Sequence, residues 1–210
     1  MILSLITKRA AKAFLILSAL ASLLVLTSCN MFTNDFGKLK SAFQGRDAVI
    51  QTYDEDSNLI DRIAGKSIDI GADDKFAIKD SEGKTVQKSG VLSFTVGGKV
   101  MTHVGSSLIL AEKGLTDLVA EYAKTNSISN NDRSVPFINR IVNGMQNLTT
   151  GKEMIILIRS QSGKPLATYS GNSVSYFATD IDKSTGFIID GKYLFVYRCD
   201  YTIYEKSLLE

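Results

Sequence analysis

The sequence predicts an α+β fold dominated by antiparallel β-sheet, in which two small related β units are joined by a helical segment and follow an N-terminal signal helix. Three observations support this prediction. Short alternating segments flank tight-turn sequences such as Gly97-Gly98 and Asp190-Gly191, which is typical of β-hairpins. One apolar stripe with helical spacing lies in the middle of the chain. The segments after that stripe repeat the order of turns and charges of the segments before it.

The chain begins with a short apolar run, from Ala13 to Leu26, which follows three basic residues, Lys8, Arg9 and Lys12. Its 14 residues are fewer than the roughly 20 that a helix needs to cross a bilayer. A basic region, an apolar region and small residues at the end are the parts of a secretory signal peptide. The sequence therefore predicts a signal peptide over residues 1–28.

The end of the apolar run, Leu26-Thr27-Ser28-Cys29, resembles the lipobox of bacterial lipoproteins. The resemblance implies that the Cys29 thiol carries a diacylglycerol, that the signal peptide is cut before it, and that the lipid holds the protein on the extracytoplasmic face of the cell membrane. Two acyl chains are enough for stable anchoring. Residues 29–35 then form a short polar tether. The alternatives are an ordinary signal peptide with a coincidental cysteine, or an uncleaved anchor.

The charge balance argues against a nucleic-acid partner. The chain has 24 basic and 22 acidic residues. Three of the basic residues and none of the acidic ones lie in the signal peptide, so the remaining chain carries one net negative charge. A nucleic-acid-binding protein would show a clustered basic face. We therefore expect no nucleic acid among the partners.

The first β unit is predicted over residues 36–113 and the second over residues 151–210. After a short helical spacing at its start, the first unit is expected to have strands over residues 46–54, 59–63, 66–70, 91–96 and 99–104. The second unit is expected to have strands over residues 154–160, 166–170, 173–179, 186–189 and 192–204. Polar and glycine-containing turns separate these segments, as antiparallel hairpins require.

A helical linker is predicted over residues 114–150. Five apolar residues recur there with the spacing of one helix face: Leu115, Leu118, Val119, Tyr122 and Ala123. After a polar loop, Ser134 is suited to cap a second helix, and Pro136 is tolerated in its first turn. Together these signals indicate two helices between the β units.

The two β units align at two fixed offsets. An offset of 106 aligns two pairs of glycines, Gly45 with Gly151 and Gly65 with Gly171. An offset of 93 aligns Gly98 and Lys99 with Gly191 and Lys192. The change of offset indicates a 13-residue insertion in the polar segment of the first unit, residues 72–89. Because the identities are few, both a duplication and the shared turn chemistry of unrelated hairpins explain the match.

His103 and Cys199 are the residues from which a nucleophilic dyad could be built. Such a dyad would suit a cell-wall hydrolase or transpeptidase. The two residues occupy non-matching positions of the aligned units, and nothing around them resembles a catalytic motif. Cys199 also lies in the alternating run from Tyr193 to Ile203, where it is expected to be a small buried residue of a strand. We therefore predict no catalytic residue and no enzyme.

One turn has the spacing of a calcium-binding loop. Asp54, Asp56 and Asn58 match the first three ligand positions, but Leu59 and Gly65 stand where the loop needs glycine and glutamate. A solvated hairpin turn is the better interpretation. We expect neither a metal ion nor a cofactor.

Tyrosines are concentrated in the second β unit, where six of the eight lie after residue 168. Tyrosine is favoured at interfaces because it has an apolar ring and a polar tip. It is also favoured in ordinary sheets. The candidate binding residues are Tyr193, Tyr197, Tyr201 and Tyr204, and an ordinary sheet face is the alternative.

Three turn sequences, with the lipobox, carry a further resemblance: Val96-Gly97-Gly98-Lys99-Val100, Ser162-Gly163-Lys164-Pro165-Leu166 and Ile189-Asp190-Gly191-Lys192. The chain resembles a family of uncharacterised lipoproteins from Gram-positive bacteria. This implies a location on the cytoplasmic membrane facing the cell wall, and it implies no activity. We predict a membrane-anchored extracytoplasmic lipoprotein that acts as a non-enzymatic binding or accessory module, with an envelope protein or a cell-wall component as partner. The alternative is a cell-wall-directed enzyme.

Overall fold

A computed structural model describes residues 38–124, 140 and 151–209. The predicted signal peptide 1–28, Cys29, the tether 29–35 and most of the predicted linker 114–150 lie outside the described residues. Within the described residues, no helix is long and apolar enough to cross a membrane.

The described residues form fourteen β-strands, two short α-helices and two 3-10 helices. The strands are β1 Asp47–Tyr53, β2 Leu59–Lys66, β3 Ile68–Ala72, β4 Ile78–Lys79, β5 Thr85–Gln87, β6 Val91–Val96, β7 Lys99–Val104, β8 Ser107–Glu112, β9 Met154–Arg159, β10 Pro165–Gly171, β11 Val174–Ala178, β12 Ser184–Ile189, β13 Lys192–Tyr197 and β14 Asp200–Glu205. The α-helices are α1 Lys38–Ala42 and α2 Leu118–Ala123, and the 3-10 helices are Asp74–Phe76 and Lys206–Leu209.

The predicted α+β class, with its helical segment between β units, is wrong. The residues that the structure describes are mostly antiparallel β-sheet, with 54% of them in strands and 12% in helices. The stripe that predicted a longer helix is divided: Leu115 forms an isolated β-bridge with Lys113, and α2 begins only at Leu118. The helix starts there because the Asp117 side chain caps it by accepting the Val119 N–H. The second predicted helix, after Ser134, lies outside the described residues.

Strands from residues 36–113 and from residues 151–210 share one antiparallel sheet of six strands, β11-β12-β13-β8-β1-β2. At its centre Leu194 to Tyr197 of β13 pair with Ala111 to Leu108 of β8. Two sheets of three strands, β3-β6-β7 and β10-β9-β14, and the β4-β5 hairpin make up the rest. The sequence did not predict β8, because its apolar run is buried on both faces and therefore does not alternate.

The strand pairing of the second half repeats that of the first. β1 pairs with β2 and β8, as β9 pairs with β10 and β14. β6 pairs with β3 and β7, as β12 pairs with β11 and β13. The additional strands β4 and β5 lie in the segment between β3 and β6, where the offsets indicated an insertion.

The register of the ladders follows the same two offsets, 106 and 93. Equivalent residue pairs are Ala48↔Gly65 and Met154↔Gly171, and Ile68↔Val96 and Val174↔Ile189. Backbone turns repeat as well: Gly98 has φ +81° and Gly191 has φ +80°, a left-handed conformation that suits glycine. The two halves therefore have one strand order and one register in common.

The six-stranded sheet is the middle layer of the part of the chain that the structure describes. On one face, its side chains Ile50, Leu110 and Phe195 form a core cluster that also contains Leu92 and Phe94 of β6. On the other face, Ile109, Phe187 and Val196 form a second cluster with Ile156 of β9 and Tyr169 of β10. Full burial of such a side chain contributes about 1.5–3 kcal/mol. The two smaller sheets are thus held on opposite faces of the larger one.

Candidate functional site

The insertion between β3 and β6 leaves a polar cleft of about 490 Å³ against the outer face of these two strands. Ile70 and Phe94 are buried in the core cluster. The alternate residues of the same strands, Asp69, Ser93 and Thr95, therefore face outward and line the cleft. A volume of this size is within the range of sites that bind small molecules.

The opposite wall comes from the insertion and from the loop after β11. It is lined by Asp74 in the 3-10 helix, by Thr85, Lys88 and Ser89 at the end of the insertion, and by Asp180. Lys88 Nζ donates a hydrogen bond to the Asp180 backbone oxygen (3.1 Å) and lies 3.5 Å from Asp182 Oδ1. The ammonium group therefore joins the two parts of this wall, the insertion and the loop after β11.

Asp69 is the most unusual residue of the cleft. It pairs with Thr95 across the β3-β6 ladder. Its Oδ1 atom is shielded from solvent and has no hydrogen-bond partner among the described residues. A buried acceptor without a partner costs about 1–3 kcal/mol. A ligand that donates a hydrogen bond to Oδ1 would recover this free energy.

The composition of the cleft restricts the chemistry of its ligand. Three carboxylates and one ammonium group give it a net negative charge, and four side-chain hydroxyls, those of Thr85, Ser89, Ser93 and Thr95, both donate and accept hydrogen bonds. Carboxylates accept hydrogen bonds and disfavour anions. The cleft is thus suited to a neutral or cationic ligand that carries several hydroxyl or amine groups.

The structure does not join His103 and Cys199 by a hydrogen bond. His103 Nε2 lies 3.0 Å from the Ser106 backbone oxygen, and its ring contacts Tyr197 edge-on at 6.0 Å between centroids. The Cys199 thiol donates instead to backbone oxygens, at 3.3 Å from that of Tyr197. Burial raises the pKa of Cys199 to about 12. The thiol therefore stays protonated at neutral pH, whereas a nucleophilic cysteine needs its thiolate.

The turn with calcium-like spacing uses its carboxylate within the turn. Asp54 Oδ1 accepts the backbone N–H groups of Asp56 (2.9 Å) and Asn58 (2.8 Å), and Oδ2 accepts the Asn58 side-chain amide (2.9 Å). The hydrogen bonds from Asn58 lower the pKa of Asp54. The Asp56 carboxylate pairs with Lys164 of the equivalent turn in the second half. Among the described residues, no group of three or more His, Cys, Asp or Glu side chains is arranged to hold a metal ion.

The four candidate tyrosines are not brought to one surface. Tyr197 is buried, and its hydroxyl donates to the Gly90 backbone oxygen (3.0 Å). Tyr193 is half-buried beneath the Arg46 guanidinium, which lies 5.1 Å above its ring. Tyr201 packs edge-on against Phe187, and the Tyr204 hydroxyl accepts a hydrogen bond from Arg159 (3.3 Å).

The reason for this separation is a turn inside the segment 192–204, which the sequence predicted as one strand. Arg198 has φ +51°, so β13 ends at Tyr197 and β14 begins at Asp200 in another sheet. Cys199 lies in this turn and not in a strand. The alternation of the segment therefore does not indicate a shared face.

Comparison with known proteins gives the chain a family. The profile of a domain of unknown function, DUF5052, matches residues 11–209. The chain belongs to the DUF5052 family. The expectation of an uncharacterised family is confirmed to this extent. Searches of curated proteins and of solved structures each found no match.

Because the DUF5052 family brings no assigned activity, the cleft has to be interpreted from its own residues. Sequence reasoning missed Asp69, Ser93 and Thr95 as site residues. The sequence indicated them only indirectly. The offset of the internal repeat changes after β3, which shows that the first half has extra residues directly after that strand. The sequence does not show that these extra residues pack over Asp69, Ser93 and Thr95, because that contact depends on tertiary packing.

Proposed function

We propose that this DUF5052 protein is a membrane-anchored extracytoplasmic lipoprotein that binds a hydroxyl-rich cell-wall saccharide as a non-enzymatic module. The lipobox-like sequence ending at Cys29 supports the anchor, and the resemblance of the whole chain to Gram-positive lipoproteins supports the setting. The cleft over β3 and β6 supports binding. The observation that carries the proposal is the shielded Asp69 Oδ1 atom, which lacks a hydrogen-bond partner among the described residues.

A saccharide fits the cleft for two physical reasons. Each sugar hydroxyl donates one hydrogen bond and accepts others. This complements a wall in which Asp69 Oδ1, an acceptor with no partner in the described part of the chain, lies on the same strand face as Ser93 and Thr95. A neutral sugar also has no anionic charge to be repelled by Asp69, Asp74 and Asp180. The cell wall is the saccharide that a lipoprotein on the outer face of the membrane would meet.

Binding is tested by titrating the full-length detergent-solubilised protein with soluble oligomers of N-acetylglucosamine in a calorimeter. We expect Asp69→Asn to weaken binding by roughly tenfold or more, since a hydrogen bond to a charged group contributes about 1.5–3 kcal/mol. Asp47→Asn is the matched control, because Asp47 is an exposed strand residue of β1 outside the cleft. Equal affinities of the Asp69→Asn variant and the wild type would remove the cleft from the proposal.

The anchor is tested separately by growing cells with an alkyne-labelled fatty acid and separating membranes from the culture medium. We expect the wild type to carry the label and to remain with the membranes. We expect Cys29→Ala to lose the label, whereas Cys199→Ala, the control at the other cysteine, keeps it. A membrane-bound wild type without label would contradict lipidation at Cys29.

A cell-wall-directed hydrolase is the second candidate, because three carboxylates line one cleft. Glycoside hydrolysis uses a pair of carboxyl groups on either side of the scissile bond. Prolonged incubation of the protein with the same oligomers, followed by mass spectrometry, separates the two functions. Unchanged oligomers support a binding module, and shortened oligomers that disappear with Asp69→Asn would replace it with an enzyme.

A further inference from the structure

The two halves of the protein are joined by one ladder, between β8 of the first half and β13 of the second. Its pairs are Ala111↔Leu194, Leu110↔Phe195, Ile109↔Val196 and Leu108↔Tyr197. Next to the Ala111↔Leu194 pair, at that end of the ladder, Glu112 Oε2 accepts the Tyr193 backbone N–H (2.9 Å). This ladder turns two three-stranded units, β2-β1-β8 and β13-β12-β11, into the six-stranded sheet.

Because the chain repeats internally, the two strand edges that meet in this ladder each have a counterpart elsewhere in the protein. By the offset of 93, β8 corresponds to β14 and β13 corresponds to β7. Among the described residues, β14 is paired only with β9, and β7 is paired only with β6. The sheets β10-β9-β14 and β3-β6-β7 are therefore the counterparts of the two units that β8 and β13 join, but here the joining ladder is not formed.

The side chains at these two edges are also partly uncovered. Val100 and Val104 on β7 are 75% and 64% exposed, and Tyr201 on β14 is 36% exposed. An edge strand with exposed apolar side chains is a template for another strand, because its outer N–H and C=O groups are available for pairing. The exposed edges are expected to be complementary in register, because by the offset of 93 they correspond to edges that pair elsewhere in the same chain.

We propose that β7 of one copy of this chain pairs with β14 of a second copy. By the offset of 93, the pairs would be Met101↔Tyr204, Thr102↔Ile203, His103↔Thr202 and Val104↔Tyr201. Glu205, the counterpart of Glu112, would accept the Val100 backbone N–H. The result is a second six-stranded sheet, β3-β6-β7-β14-β9-β10, shared between two copies. None of these β7 and β14 residues lines the proposed saccharide cleft.

The interface is head-to-tail, since each copy contributes a different edge. A head-to-tail contact leaves one β7 edge and one β14 edge open on every pair, so it continues into a row or closes into a ring. On a membrane, such contacts would assemble the protein laterally.

The pairing is tested with cysteines in the full-length protein, expressed in cells and oxidised in the membrane. All chains carry Cys199→Ser, because serine stands at the equivalent position 106. One copy carries one epitope tag and Val104→Cys, and a co-expressed copy carries another tag and Tyr201→Cys. Directly opposite residues of antiparallel strands have Cα atoms about 4.5–5.5 Å apart, which a disulfide spans. We expect a disulfide-linked dimer that contains both tags.

The matched control replaces Val104→Cys by Val100→Cys on the same exposed face of β7. A shift of four residues separates the two sulfurs by about 13 Å, so we expect roughly a tenfold lower yield. The pair Thr102→Cys with Ile203→Cys repeats the test without altering Tyr201. Equal yields for matched and shifted pairs, no dimer from either matched pair, or a crosslinked band with only one tag and a different protein would each overturn the proposal.

Discussion

Val96, at the end of β6, lies so close above Gly65 of β2 that a Cβ atom on the glycine would be 2.2 Å from Val96 Cγ1. The second half has the same relationship at the equivalent positions, where a Cβ on Gly171 would be 2.6 Å from Ile189 Cγ2. In each half, therefore, a glycine at or next to the end of a strand allows a neighbouring sheet to cross at close range. The two glycines are aligned by the offset of 106 because both halves need this crossing.

Substitution of either glycine by alanine is expected to destabilise the fold. The added methyl group must displace a β-branched side chain, whose χ1 angle is stiff, and overpacking of this kind costs about 1–3 kcal/mol. The measurement is the urea midpoint of Gly65→Ala and Gly171→Ala. Gly71→Ala is the control, because it is also a strand residue and a Cβ there would contact nothing within 4 Å. If Gly71→Ala lowers the urea midpoint as much as the two variants do, the loss of stability comes from backbone effects and not from the close crossing.

The sequence predicted most hairpins because their turns are local. Gly98 and Gly191 each determine a hairpin turn within a few residues. The equal spacing of such turns in the two halves therefore reveals the repeat. The prediction failed where a structure depends on distant partners. β8 pairs with β13 more than eighty residues away, and no local pattern of its apolar run indicates that partner.

The candidate site was harder to predict than the fold. The tyrosines were grouped by counting alternate positions through Arg198, but a positive φ at that residue ends one strand and starts another. The helix was predicted too long because Leu115 has the right spacing and yet completes an extended bridge. Asp69 becomes a site residue only because the insertion covers the outer face of β3.

Asp117 is expected to make stability depend on pH. Burial raises the pKa of Asp117 to about 6, although backbone N–H groups, including that of Thr168 at 3.0 Å, act to lower it. Its pKa in the unfolded chain is about 3.9, so the folded protein binds a proton more tightly. Protonation of Asp117 therefore contributes to the free energy of unfolding. This contribution is fully present below the unfolded pKa and is lost as the pH rises from about 4 to 6. A difference of about two pKa units corresponds to roughly 3 kcal/mol.

Asp117→Asn keeps an oxygen that accepts the same backbone hydrogen bonds but cannot ionise. We expect its free energy of unfolding to vary less between about pH 4 and 6 than that of the wild type. Asp190→Asn is the control, because the hydrogen bond from Lys152 lowers the pKa of Asp190. A lowered pKa gives a contribution that is lost only as the pH falls through still more acidic values. If the free energies of unfolding of the wild type and of Asp117→Asn change in parallel between about pH 4 and 6, the prediction is contradicted.

Asp69→Val is expected to stabilise the ligand-free protein while it removes saccharide binding. The substitution eliminates an oxygen that is shielded and unpartnered among the described residues, and valine is favoured in strands. We expect a gain of about 1 kcal/mol in the free energy of unfolding, measured in urea. Asp47→Val, at an exposed position of β1, should change stability little. Destabilisation by Asp69→Val would mean that the carboxylate stabilises the fold and is not an unsatisfied acceptor available to a ligand.

The insertion is expected to be dispensable for folding and necessary for binding. Its large apolar side chains, Phe76, Ile78 and Val86, are 55–62% exposed, so it contributes little to the core. In the second half, the five residues Thr179 to Lys183 connect the equivalent strands. These five residues form their own turn, in which Thr179 Oγ1 accepts the Ile181 N–H (3.2 Å).

The test replaces residues 73–90 by the sequence Thr-Asp-Ile-Asp-Lys of residues 179–183. Because the repeat shows that this connection bridges the same pair of strands in the same register, we expect cooperative unfolding and an unchanged strand signal in circular dichroism. Binding of N-acetylglucosamine oligomers should be lost, since one wall of the cleft is gone. A five-residue Gly-Ser connection is the control for the grafted turn and should fold less stably, because glycine loses more conformational entropy on folding. A graft that folds and still binds would place the saccharide site elsewhere, and one that fails to fold would make the insertion part of the structural core.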